Sequence, residues 1–130
     1  MTFAIDRIDH VVINCRDIEV TAEWYERALG MRREVFRGDR TALMFGGQKF
    51  NLRPTGSQGW PTGAVDAPGS LDLCVIADAA PSQIAAHLAE VGVPVTEGPV
   101  HRIGAQGDMT SYYCTDPDGN LVEIATYRTT

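Results

Sequence analysis

The chain has 130 residues, 44% of them hydrophobic and 22% charged, with a formal net charge of -6. This composition excludes a disordered chain and points to one globular domain whose core needs no disulfides. The eleven basic residues are scattered, with no block longer than Arg32-Arg33, which argues against nucleic acid as a partner.

No basic stretch followed by an apolar run opens the sequence, and no segment approaches eighteen apolar residues. A signal peptide and a membrane span are therefore not expected, and the expected location is the cytoplasm. The first strand is predicted at Ile8 to Asn14. Alternation puts Val11 and Ile13 on one face and His10, Val12 and Asn14 on the other. Asp17 suits the N-cap of the following helix. Ile18, Ala22, Tyr25 and Leu29 form its apolar stripe, and Gly30 suits a left-handed C-terminal cap. Three short strands are predicted next, at Arg32–Arg37, Thr41–Phe45 and Gln48–Arg53. Gly38-Asp39 and Gly46-Gly47 mark the turns between them. Residues 54–69 are rich in glycine and proline and read as a linker, although Trp60 within it is expected to pack down.

The second half opens with a strand at Leu71–Ile76. Pro81 suits the first turn of a helix with Ile84, Leu88 and Val91 on its stripe. Strands are predicted near Val93–Glu97, Met109–Cys114 and Leu121–Tyr127. Residues 98–108 read as an irregular loop, and Asp116-Pro117-Asp118-Gly119 as a type I turn. Cys15, Cys74 and Cys114 show neither metal-knuckle nor disulfide spacing. Cys15 and Cys74 lie in apolar runs and are expected to be buried thiols.

The two halves repeat. His10 stands twenty residues before Gly30, and Asp72 twenty residues before Gly92. Each half is a β-α-β-β-β module, about 6–53 and 70–128. The expected architecture is a single α+β domain, residues 1–130, whose paired modules form a curved, half-open barrel sheet with helices outside. Aligning the last strands gives four equivalent points: His10, Asn51, Asp72 and Glu123. Each opposes its larger apolar neighbours in parity, so all four are expected on the face the helices leave bare.

The motifs Ile8-Asp9-His10-Val11-Val12, Trp24-Tyr25 with Leu29-Gly30-Met31, and Asp116-Pro117-Asp118-Gly119-Asn120-Leu121-Val122-Glu123 resemble the vicinal oxygen chelate superfamily. That group contains glyoxalases, extradiol dioxygenases, and the fosfomycin- and bleomycin-resistance proteins. Phe45 to Leu52 and Pro68 to Cys74 are further similar to the glyoxalase domain-containing protein five group. The resemblance implies a metal ligand at His10 on the first strand and a carboxylate ligand at Glu123 on the last. Where the family usually places a second His, this chain has Asp72. Where glyoxalases place a Glu at the end of the first module, it has Asn51. The resemblance also implies a homodimer, with a metal site that can take ligands from both chains.

One imidazole and two carboxylates suit a borderline or hard divalent ion, and Mn²⁺, Fe²⁺, Ni²⁺ and Zn²⁺ all remain open. Such an ion would act as a Lewis acid on two adjacent oxygens. Glu123 is the candidate proton carrier. Lys49, Arg53 and Arg102 are candidates for gripping an anionic substrate, with Arg102 on a possible lid, and Asn51 for hydrogen bonding to it. Tyr112 and Tyr113 lie on opposite faces of one strand. One of them should enter the site, with Tyr113 as the candidate. His101 is expected to be an exposed loop residue, and His87 to lie on a helix away from the site. The reading is a glyoxalase-like metal-dependent lyase or isomerase, or an epoxide-opening enzyme, acting on a small oxygen-rich molecule. The alternative is a metal-free protein that sequesters a small molecule.

Overall fold

The computed structural model describes residues 2–130. The chain folds as two compact units that divide between Ala67 and Pro68.

The first unit contains β1 (His10–Cys15), α1 (Ile18–Leu29), β2 (Arg32–Phe36), β3 (Arg40–Phe45) and β4 (Gln48–Pro54). Its sheet runs β1-β4-β3-β2, with β1 parallel to β4 and the other pairs antiparallel. Asp17 caps α1 as predicted, its carboxylate accepting from the Glu19 and Val20 amides. Gly30 ends the helix in the left-handed conformation, at φ 64°. Ala22 and Tyr25 are buried, as are Ile13, Leu43, Phe50 and Leu52 of the sheet, which share one face by register. The Tyr25 ring meets Phe50 edge-on, 5.8 Å between centroids. Trp60 is half-buried beneath the Arg40 guanidinium, 4.0 Å from its ring centre.

The second unit repeats the plan with β5 (Asp72–Ile76), α2 (Pro81–Glu90), β6 (Glu97–Gly104), β7 (Gly107–Thr115) and β8 (Leu121–Thr126). Its sheet runs β5-β8-β7-β6, with β5 parallel to β8. Ile84 and Leu88 of α2 bury, and the Tyr112 hydroxyl on the same side donates to the Pro81 carbonyl at 2.9 Å. The architecture is thus α+β, two mixed four-stranded sheets with one helix each and no closed barrel.

The Asp116–Asn120 turn is a structural clamp. Asp116 is buried, and its carboxylate accepts from the Asp118 and Asn120 amides and from the Asn120 side chain. The Asn120 side-chain oxygen in turn accepts from the Leu71 amide. This ties the start of β8 to the start of β5 and so sets the register that carries Glu123.

One predicted segment is corrected. Residues 98–108 are not a loop: β6 and β7 pair as a hairpin through them, while 93–96 lie outside any strand. Glycines and a proline there mimic loop composition. Gly98 is needed for close approach, since a Cβ on it would lie 2.7 Å from the Ser111 carbonyl oxygen. A bulge between Glu97 and Val100 absorbs the residue that Pro99 cannot pair. His101 therefore stands on a strand. It is exposed, as expected, and paired with Asp108 at 2.8 Å.

Candidate functional site

Each sheet has one face covered by its helix and one that the helix leaves bare. The register of the first unit places His10, Lys49, Met44 and Arg32 in one row across the bare face, and Val12, Asn51, Ala42 and Glu34 in the next. Asn14 and Arg53 begin a third. His10 is exposed, and its Nδ1 lies 2.8 Å from the Asp9 carboxylate. That bond holds the Asp9 carboxyl below its usual range, with smaller help from Arg7 and Lys49.

The bare face of the first unit carries a cavity of about 210 Å³. Phe36, Ala42 and Met44 form its apolar lining, and Asp9, Glu34 and Lys49 bring charge to it. The Lys49 ammonium lies over the Phe36 ring, 4.0 Å from its centre.

Arg53 points to the predicted face but is only 2% exposed. One terminal nitrogen donates to Asn14 and to the Asp66 carboxylate, and the other to the Ser57 carbonyl. Its donors hold the 54–66 segment in place, and this redirects Arg53 from gripping substrate to scaffolding. Asn51 is also buried. Its side-chain oxygen and the Arg53 Nε have no hydrogen-bond partner.

In the second unit, Asp72 and Cys74 follow one another along the bare face of β5, and Glu123 stands opposite Cys74. Tyr113 stands opposite Glu123 on its other side. The fully buried Ser111 donates a 2.6 Å hydrogen bond to Glu123 Oε2. Tyr113 thus shares a face with Glu123, while Tyr112 serves the core. Arg102 is on β6 rather than a lid. Its Nε donates to the Tyr113 hydroxyl at 3.0 Å and its Nη2 to Glu97 at 2.8 Å. These bonds, Tyr113 first, raise its pKa further.

Cys74 is exposed, a correction to the buried thiol expected from its apolar neighbours. Leu73 and Val75 occupy the other parity, so the thiol falls beside the carboxylates. Partial burial, then Glu123 and Asp72, push its pKa up to about 11. It is a poor nucleophile at neutral pH. His87 lies on α2 and is exposed.

Sequence reasoning did not identify the Ser111–Glu123 bond, the Cys74 position or the cavity. Ser111 shares parity with Tyr113, which was the one available signal. Among the described residues, no three His, Cys, Asp or Glu side chains are gathered to hold a metal ion. The donor types fit a divalent ion, and Asp72 and Glu123 share one face of one unit. No helix among the described residues is long and apolar enough to cross a membrane.

Residues 7–124 match the model of the Glyoxalase/Bleomycin resistance protein/Dioxygenase superfamily. Virulence protein STM3117 of Salmonella typhimurium is 42% identical over 95% of this chain and 85% of its own length. Its crystal structure superposes with a TM-score of 0.93 over 97% of this chain and all of that one. The glyoxalase domain-containing protein RDO1 of Mycosarcoma maydis is 42% identical over 96% of this chain and 70% of its own length. The integron cassette protein VCH_CASS1 of V. cholerae is 44% identical, covering 97% of this chain and 98% of that one, with a TM-score of 0.93. With the paired β-α-β-β-β units and the carboxylate on the last strand, these likenesses assign the chain to the Glyoxalase/Bleomycin resistance protein/Dioxygenase superfamily.

Proposed function

We propose that this chain is a glyoxalase-like, divalent-metal-dependent enzyme acting on a small oxygen-rich molecule by lyase, isomerase or epoxide-opening chemistry. The observation that supports it is Glu123, a carboxylate on a bare sheet face with one oxygen fastened by a buried hydroxyl. Such a bond selects one rotamer, which suits a group that must meet a ligand in one geometry. The residues proposed to hold the ion are His10, Asp72 and Glu123. Because no trio of donors gathers among the described residues, the set is proposed to be completed by a second copy in a homodimer.

When bound, the ion would polarise two neighbouring substrate oxygens. The geometry supports a protein side to this chemistry. Ser111 occupies Glu123 Oε2, which leaves the other oxygen open to the ion or to a substrate proton. Arg102 donates to the Tyr113 oxygen, which leaves the phenolic proton to donate to a substrate oxygen. Arg102 is itself braced by Glu97.

The test is metal analysis of untagged protein by mass spectrometry, with mass by light scattering. Near one ion per chain on a dimer, lost in Glu123→Ala with the fold intact, is the expected result. Absence of an ion, with no tight uptake of Mn²⁺, Fe²⁺, Ni²⁺ or Zn²⁺, would leave the second reading, a metal-free small-molecule binder. The scattered donors together with an apolar-lined cavity favour that reading.

A further inference from the structure

We propose that the cavity on the bare face of the first unit recognises a small monocarboxylate with an apolar body, and that Lys49 is the cation that reads its charge. This deepens the functional reading by naming a ligand class. It rests on the chain being a small-molecule protein, and holds for either the enzyme or the binder.

The pairing of the charges around the cavity decides which of them is open to a ligand. Asp9 is engaged by His10 Nδ1 at 2.8 Å, and Glu34 accepts from Arg32 at 3.1 Å. Among the described residues, Lys49 has no carboxylate within ion-pair distance. Its ammonium rests on the Phe36 ring instead. The other two cations once eligible to grip an anion are committed elsewhere, Arg53 to Asp66 and Arg102 to Glu97. Lys49 is left as the cation free to exchange a ring face for an oxyanion.

The lining decides the rest. Ala42 stands between Glu34 and Asn51 in its row, and its small side chain leaves depth above the sheet. Phe36 and Met44 flank that space with an aromatic face and a flexible thioether, both suited to a flat apolar group. The volume, about 210 Å³, lies below the roughly 300–1,000 Å³ of drug-sized sites. A single ring or short chain fits. A lone ammonium without an arginine fork matches one carboxylate better than a phosphate dianion. The nearby Asp9 and Glu34 disfavour the higher charge.

The experiment uses the whole 130-residue chain with methyl-labelled methionine and three probes of similar shape: phenylacetate, phenylacetamide and phenethylamine. Phenylacetate is expected to shift the Met44 methyl saturably. Phenylacetamide should bind weaker by about tenfold, the change that losing one charge-assisted hydrogen bond gives. Lys49→Met should erase the difference and Lys49→Arg should keep it, with dispersion of the other methyls reporting that each variant is folded. Glu34→Gln should tighten phenylacetate. Equal binding of acid and amide, tighter binding of phenethylamine, or no saturable shift with any probe would overturn the proposal. Metal content is measured on the same samples. Loss of the metal reading with phenylacetate still bound at Lys49 would sink the enzyme and leave this site standing.

Discussion

The hydroxyl of Ser111 donates a 2.6 Å hydrogen bond to Oε2 of Glu123, from a side chain with no solvent exposure. The two residues are diagonal neighbours on β7 and β8, since Glu123 pairs with Tyr113 and Ser111 with Ala125. The bond links a fully buried hydroxyl to the one carboxylate that the family motif and the strand register both put on the face the helix leaves bare. Ser111→Ala should cost about 1–2 kcal/mol in urea denaturation, since hydrogen bonds to charged groups sit at the strong end. On the metal reading it should also weaken metal affinity by about 10- to 100-fold, as loss of a carboxylate's orienting partner does. Unchanged affinity would show that Glu123 does not ligate.

Asp72→His should strengthen Ni²⁺ and Zn²⁺ binding, because imidazole suits those ions. Competition against a chromogenic chelator measures it. An affinity no different from the parent protein counts against Asp72 as a ligand.

Arg53→Met should destabilise the first unit by about 2–4 kcal/mol. It strands Asp66, Asn14 and the Ser57 carbonyl, and the cost is that of breaking a largely buried pair from one side. Arg53→Lys should recover little, because one ammonium cannot span those acceptors. Thermal denaturation checks both. If Arg53→Met kept full stability and lost ligand binding, Arg53 would return to the ligand-gripping set.

Cys74 sets a pH dependence. Its pKa is raised from 9.0 to about 11, so the folded state keeps the proton that the unfolded state has begun to lose. The resulting stability is fully present below pH 9.0 and is lost as pH rises through about 11. Cys114, raised to about 11 by burial and then Asp116, acts with the same sign. Cys74→Ala should therefore remove part of the alkaline loss, read as midpoint denaturant concentration against pH. Iodoacetamide labelling of Cys74 should stay slow at pH 8 and climb steeply above it. Rapid labelling at neutral pH would contradict the environment described.

Asp116→Ala should be the most damaging of these changes to the second unit, by about 3 kcal/mol or more. It removes the acceptor of two buried amides and the Asn120 side chain together. Hydrogen exchange at the Leu71 and Leu121 amides should rise with it, since both depend on the turn.

The helices and most strands were legible because each is a local pattern. Asp17 and Gly30 bracket α1 by side-chain and backbone chemistry within a few residues. Alternation along β1 and β4 is enough to put His10 with Lys49 and Asn51. The hairpin of β6 and β7 was not legible, because Gly98, Pro99, Gly104 and Gly107 suit a loop equally well. What makes them strand is the approach of Ser111 and Tyr112, residues distant in sequence. Arg102 changed from a lid residue to a braced partner of Tyr113 for the same reason.

By itself the sequence determined the twofold β-α-β-β-β plan and the parity of His10, Asp72 and Glu123, since a period of two or 3.6 residues is written in neighbouring positions. Only the tertiary structure decided that Tyr113 rather than Tyr112 joins Glu123, that Cys74 lies between two carboxylates, and that Arg53 is spent on its own linker while Lys49 is not. Those outcomes depend on cross-strand register and on which charges find partners across the fold. No local periodicity encodes either.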